Sequence, residues 1–214
     1  MGHTYWKQKT LIAFAAFTGL TGCLAEEKTF GYAAGYVRSY PAPIVLDMPA
    51  NAPSITQQFR GTLEVSTLEG IDEHFGIDVH APIGTPVIAA AGGVVERSFW
   101  GPAYGNQVQI RHAPDASGKS SRTRYVHLHK RLVAQGDVLE RGEQLGELGV
   151  TGFLSSGFPH LHFELIYQGT ALGTSSADPH RFWAQGRGKI TCMGPEWADI
   201  SPETFKLTYP VPCK

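Results

Sequence analysis

Cysteine is scarce in this 214-residue chain, and its three copies, Cys23, Cys192 and Cys213, never stand in Cys-x-x-Cys spacing. Cysteine ligation of a structural metal is therefore excluded. Neither sign of charge dominates: 18 Lys and Arg against 19 Asp and Glu leave a formal net charge of −1. No basic stretch is long enough to follow a phosphate backbone, so no nucleic-acid partner is expected. No apolar run reaches the roughly 20 residues that a bilayer-spanning helix requires. Long helices have little room, because 25 Gly and 14 Pro punctuate the chain and favour turns and short strands. What remains is a composition 42% hydrophobic, sufficient for a genuine core.

The amino-terminal residues form a targeting pattern. "MGHTYWKQKT" carries Lys7 and Lys9, "LIAFAAFTGL" is short and apolar, and "LTGC" follows. Positive, apolar and small residues in that order are secretory; the alternative is a buried amino-terminal helix. Leu20-Thr21-Gly22-Cys23 resembles the lipobox of bacterial lipoproteins. The resemblance implies that residues 1–22 are a signal peptide, cleaved before Cys23, and that the chain attaches to a membrane through a lipid on Cys23. Several acyl chains on one residue give stable anchoring where one would be marginal. Leu24 is not an Asp, which in that family points to the periplasmic face of the outer membrane rather than the inner one. With Cys23 modified, Cys192 and Cys213 are left in an oxidising compartment and are expected to pair. The bridge would close a loop of roughly 20 residues, worth about 3 kcal/mol in the chain-entropy model.

Residues 23–50, ending "YPAPIVLDMPA", have no clear periodicity and read as a linker, with a short strand at 44–46. From 51 to 186 the runs "TPVIAAAGGVVERS", "NQVQIRH", "RTRYVHLH" and "HLHFELIY" fit strands of ordinary length separated by Gly-rich turns. "GKS" at 118–120 lacks the earlier Gly and the strand–loop–helix setting of a phosphate loop. The expected fold is all-β, antiparallel sheets with an open groove, followed by a disulfide-pinned tail over 187–214. A monomer is expected.

Two segments, "YVHLHKRL" at 125–132 and "FPHLHFEL" at 158–165, share a His-Leu-His triplet. Alternate strand residues face the same side. His160, His162 and Glu164 then share one face, opposite a continuous apolar face of Leu161, Phe163 and Leu165. In the other copy Tyr125, His127, His129 and Arg131 share a face, and a neighbouring arginine opposes a dication. The second triplet is the better metal site. A hydrolytic zinc takes three protein ligands and leaves one position open. In "EHFGIDVHAPIGTPV" the obvious additions are His74 and Asp78, with His80 also available, to one histidine of 160–162.

"HFGIDVHAPIGTPVIAAAGGVV", "YVHLH" and "GFPHLHFEL" resemble, in order and spacing, the three signature blocks of the lysostaphin-type (LytM-domain) zinc endopeptidases that cut peptidoglycan cross-links. "GDVLERGEQLGELGVTG" and "DPHRFW" extend the likeness over residues 50–185. The resemblance implies that His74, Asp78 and His162 bind zinc, that His127 and His160 are catalytic, and that the substrate is a stem or cross-bridge peptide of peptidoglycan. In this scheme His160 takes the proton of the attacking water and His127 donates to the oxyanion. The tail lies outside the family pattern.

The remaining candidates have plainer readings. His80 and His112 read as solvated or hydrogen-bonded loop residues, and His129 and His180 as surface residues. Glu164 reads either as a general base or as a partner that orients a ligand, the latter favoured because the family supplies histidines for proton transfer, and Tyr104 and Trp100 read as groove-lining or packing aromatics. Three rival functions are a catalytically inactive LytM-type regulator of other wall hydrolases, a non-haem iron oxygenase and a zinc-carrying lipoprotein. The first would be expected to lack zinc ligands, and this chain has the full set. The second places its carboxylate two residues after a histidine, whereas Asp78 is four after His74. The third calls for exposed His-rich tracts, which are absent.

Overall fold

The computed structural model describes residues 44–59, 74–170, 173–201 and 203–214. The signal peptide, Cys23 and most of the expected linker lie outside the described residues. Among the described residues, helix is limited to three single 3₁₀ turns, and the rest of the regular structure is strand. The main sheet is organised around β10 (His160–Thr170). Its sequence alternates: Leu161, Phe163 and Leu165 are fully buried on the core side, while His160, His162 and Glu164, also buried, face the groove. One edge of β10 pairs antiparallel with β6 (Ser121–Leu128). The other edge pairs first with β2 (Ile77–His80) and then with β11 (Gly173–Ala177). Beyond these the order runs through β1 (Ile55–Gln57) on one side and β5 (Gly105–Arg111), β4 (Gly93–Gly101) and β8 (Val138–Leu139) on the other. A smaller antiparallel sheet joins β3 (Pro86–Ile88), β9 (Gln144–Glu147) and β7 (Lys130–Arg131). Val87 and Leu145 from the small sheet share one hydrophobic core with Ile77, Val108, Tyr125 and Phe163 from the large one.

Register decides what stands beside what. His162 is directly opposite Asp78 on β2, and His160 is opposite His80. Directly opposed residues project to the same face, so the carboxylate and the imidazole of two distant segments become neighbours.

Simple alternation fails at His127. Between β5 and β6 the pairs are Asn106–Leu128 and Val108–Tyr125, so two steps on β5 face three on β6. This is a β-bulge. His127 occupies it with φ 63°, a left-handed conformation unusual for a residue other than glycine. The bulge is clamped: the His127 N–H donates to the Tyr104 carbonyl (3.1 Å) and its own carbonyl accepts from the Thr151 N–H (3.4 Å). Tyr125 is consequently on the core side, fully buried, its hydroxyl accepting from the Ala90 N–H and the Thr123 hydroxyl. The expectation that Tyr125, His127, His129 and Arg131 share one face is therefore corrected, because the extra residue turns the His127 ring over to the groove. His129, past the end of β6, is exposed.

The tail is no appendage. Cys192 and Cys213 are joined, and Ile190, Leu207, Tyr209 and Val211 are buried in the core. Backbone bonds stitch the tail to β3 and to the loop after it (Ile88 N to Pro210 O and Thr208 N to Ala90 O, each 2.9 Å). Part of the expected linker is also folded in: Leu46 is buried and Asp47 bonds with Gly188 and Ile190. Instead of a strand at 44–46 there is a single bridge, Asp47 with Lys189. His180, expected at the surface, is buried, and His112 is a hydrogen-bonded loop residue as expected but also buried. His112 bonds the Gly92 carbonyl and the Thr123 hydroxyl, and His180 lies against Trp183. Replacing both Cys192 and Cys213 by Ser should cost about 3 kcal/mol in denaturant unfolding under non-reducing conditions, since the bridge closes a 21-residue separation.

Candidate metal centre

Three donors from two segments converge. His74 Nε2 lies 3.1 Å from Asp78 Oδ1 and 3.0 Å from His162 Nδ1, and His162 Nδ1 lies 2.8 Å from the same Asp78 oxygen. The loop before β2 brings His74 over the sheet, and Gly76 permits the approach. A Cβ there would stand 2.4 Å from the Phe163 carbonyl oxygen and 3.1 Å from His162 Cε1.

The outer ring nitrogens fix the tautomers. His74 Nδ1–H donates to the Gln58 carbonyl (2.8 Å), which leaves a lone pair on Nε2. His162 Nε2–H donates to Glu164 (3.1 Å), whose carboxylate is gripped by Arg124 Nη1 at 3.2 and 3.3 Å. Arg124 is held in turn by Gln107 (3.1 and 2.5 Å) and lies over the Tyr104 ring. The metal-free cluster needs one proton, on His162 Nδ1, shared toward Asp78 and His74. A cation replacing that proton meets two imidazole lone pairs and a carboxylate. That donor set, with each imidazole anchored on its far side, fits a metal such as zinc.

The electrostatics agree. Burial pushes the Asp78 carboxyl up, but hydrogen bonds and charge from His162 and His74 outweigh it and hold it well below the usual carboxylate range. Burial pushes His162 down, yet its bonds to Asp78 and Glu164 prevail and raise it to about 9. In the metal-free chain, raising His162 from 6.5 to about 9 stabilises the fold fully below 6.5, and this contribution is lost as pH rises through about 9. A metal ion taken up here near neutrality would have to expel this proton. Zinc affinity should therefore fall by about tenfold per pH unit as pH drops below about 9, until other ligands titrate. Chelator-competition titrations between pH 6.5 and 9 test the slope.

Two further histidines face the cluster. The His127 and His160 rings are 4.8 Å apart between centroids. His127 Nδ1–H donates to the Thr151 carbonyl and His160 Nδ1–H to the Phe158 carbonyl, each at 2.8 Å. Both therefore turn Nε2 away from these anchors, and His160 Nε2 is 3.8 Å from Asp78 Oδ1. Burial holds His127 at about 4, so near neutrality its Nε2 is a lone pair, an acceptor before it can be a donor. The groove around them is lined by Thr56, Phe75, Tyr104, Leu154 and Phe158. Trp100 is not part of this lining and is exposed. His80 stands apart from the donors, bonded to the Pro159 carbonyl and stacked on Phe158. The partners that sequence reasoning missed are mostly backbone carbonyls, of Gln58, Thr151 and Phe158. A carbonyl belongs to every residue and leaves no mark in the letters. Arg124 alone had a readable signal, lying one strand over from Glu164.

Fold and donor set together define a β-sheet domain with three donors grouped closely enough to hold a metal ion, in the lining of a groove. Residues 72–174 match the model of peptidase family M23. The solved structure of LytU is 31% identical with a TM-score of 0.50, the match covering 64% of this chain and 88% of that one. The chain belongs to peptidase family M23. Over 99 residues it is 42% identical to peptidoglycan DD-endopeptidase ShyC of Vibrio cholerae, covering 46% of this chain and 21% of ShyC. Over 96 residues it is 46% identical to the DD-carboxypeptidase/endopeptidase Mpg of Neisseria meningitidis, covering 45% of this chain and 20% of that protein. The chain thus spans about a fifth of the length of these two relatives.

Proposed function

We propose that this domain is a zinc-dependent endopeptidase that hydrolyses peptide bonds in the stems or cross-links of bacterial peptidoglycan. The observation that carries the reading is the convergence of His74 Nε2, Asp78 Oδ1 and His162 Nδ1 within hydrogen-bonding distance of one another, with both imidazoles anchored behind. When bound, zinc supplies Lewis acidity toward the scissile carbonyl and lowers the pKa of water. The chain's own histidines do the proton work. His127 and His160, tied through Nδ1, each offer Nε2 to the proton of an attacking water. Whichever takes it becomes an imidazolium that can donate from the same atom to the developing oxyanion or to the leaving amine. Tyr104, stacked toward His127 and supported by Arg124, forms the wall beside them.

The substrate class rests on the names of the relatives and on the open groove, which suits an extended chain. Attachment through a lipid on Cys23, on the periplasmic side of the outer membrane, rests on the lipobox alone and would keep the enzyme beside its polymer. Two measurements test the reading: zinc stoichiometry of the purified protein, and release of soluble peptides from purified sacculi with and without a chelator. One zinc per chain and chelator-sensitive release are expected. Release that survives complete metal removal would sink the proposal. Recovery of a Cys23→Ala chain in the membrane fraction would sink the anchor.

A further inference from the structure

His180 and Trp183 are not among the residues that line the groove, yet they connect to the three-donor cluster. His74 is aimed by one bond, from its Nδ1–H to the Gln58 carbonyl. Gln58 follows the last residue of β1, beyond the pairs Ile55–Val79 and Gln57–Asp78, and is almost wholly buried. Its side chain is held from the other side: His180 Nε2 is 2.5 Å from Gln58 Oε1, and Trp183 Nε1 is 3.0 Å from His180 Nδ1.

The direction of every bond is fixed. An indole N–H can only donate, so His180 Nδ1 carries the lone pair and Nε2 the proton. Nε2–H must then donate to the Gln58 amide oxygen. Burial holds His180 at about 3, so the ring stays neutral and the tautomer does not change in the working range. Trp183 is itself immobilised, fully buried, paired with Leu207 and set edge-on to Tyr209 of the disulfide-closed tail.

We infer that His180, locked by Trp183, is a positioning residue for the metal ligand His74, acting through Gln58. The inference rests on the reading of His74, Asp78 and His162 as a metal centre. It also gives the tail a role: the tail fixes the far end of a relay, Trp183 to His180 to Gln58 to His74, that sets the angle at which one ligand meets the cation. Partners of this kind commonly contribute tenfold or more to metal affinity.

The test compares three variants of the whole chain: His180→Phe, which keeps a ring but removes both polar atoms; Gln58→Leu, which removes the acceptor; and His180→Gln, which keeps an N–H donor near the Nε2 position. Zinc affinity is measured by chelator competition, the cobalt(II) absorption spectrum reports ligand geometry, and the melting temperature of the metal-free protein reports folding. His180→Phe and Gln58→Leu should lose about ten- to a hundredfold in zinc affinity and shift the cobalt spectrum, with His180→Gln within about threefold of the parent. Parent-like affinity and spectrum in Gln58→Leu, whatever its melting temperature, would overturn the inference. So would His180→Gln as weak as His180→Phe. If His180→Phe does not fold, Gln58→Leu decides. A parent chain that binds no zinc would instead overturn the metal-centre reading itself.

Discussion

A His162→Ala chain should purify without stoichiometric zinc and release no peptide from sacculi above background. The imidazole it removes is the hub of the cluster, with Nδ1 2.8 Å from Asp78 and 3.0 Å from His74, and Nε2 3.1 Å from Glu164. Its loss also leaves the Asp78 and Glu164 carboxylates buried on either side of an empty position, and a buried charge stripped of its partner is costly. Arg124 still holds Glu164, so the greater burden falls on Asp78. The variant should therefore melt lower near neutrality than the metal-stripped parent and recover part of the difference as pH falls and Asp78 protonates. Asp78→Asn makes the complementary case: close to the parent in shape, without the anionic ligand, it should lose zinc with a smaller effect on folding. Elemental analysis and thermal melts at two pH values read both. Undiminished zinc in either variant would remove that residue from the ligand set.

Truncation of His127 should have the opposite profile, with zinc retained and turnover reduced by about a hundredfold to ten-thousandfold, the usual range for a lost general acid or base. The ring touches no donor of the cluster at bonding distance; its anchor is the Thr151 carbonyl, and its nearest ring neighbour is His160. His160→Ala should resemble it. His129→Ala should change neither zinc nor rate, since that side chain is exposed beyond the end of β6. The measurement is zinc content beside the rate of sacculus digestion for the three variants. Loss of zinc from His127→Ala, or a His129→Ala chain as slow as it, would assign the first triplet a different role.

How much of this was legible depends on whether a residue obeys its strand. The stretch from His160 to Leu165 alternates without interruption, so the groove face of β10 could be read from period alone, and the observed pairing of Asp78 with His162 follows from plain antiparallel register. His127 disobeys. Alternation assigns it to the side of Tyr125, and only the likeness to a family carried it to the site. The tail's place in the core was not legible because its contacts are to residues more than a hundred positions away, such as Thr208 with Ala90. His180 looked like a surface residue because a buried histidine differs from an exposed one only in its partners, here Gln58 and Trp183.

The bulge at His127 makes the site depend on parity. With one residue fewer between Tyr125 and Leu128, β6 could pair with β5 step for step and the left-handed backbone would no longer be required. The position now held by His127 would then fall out of the groove. On the proposed function, a single-residue deletion here should cost activity by moving the His127 position, even where the sheet still forms. A screen that ranked variants by thermal stability alone would not see that loss.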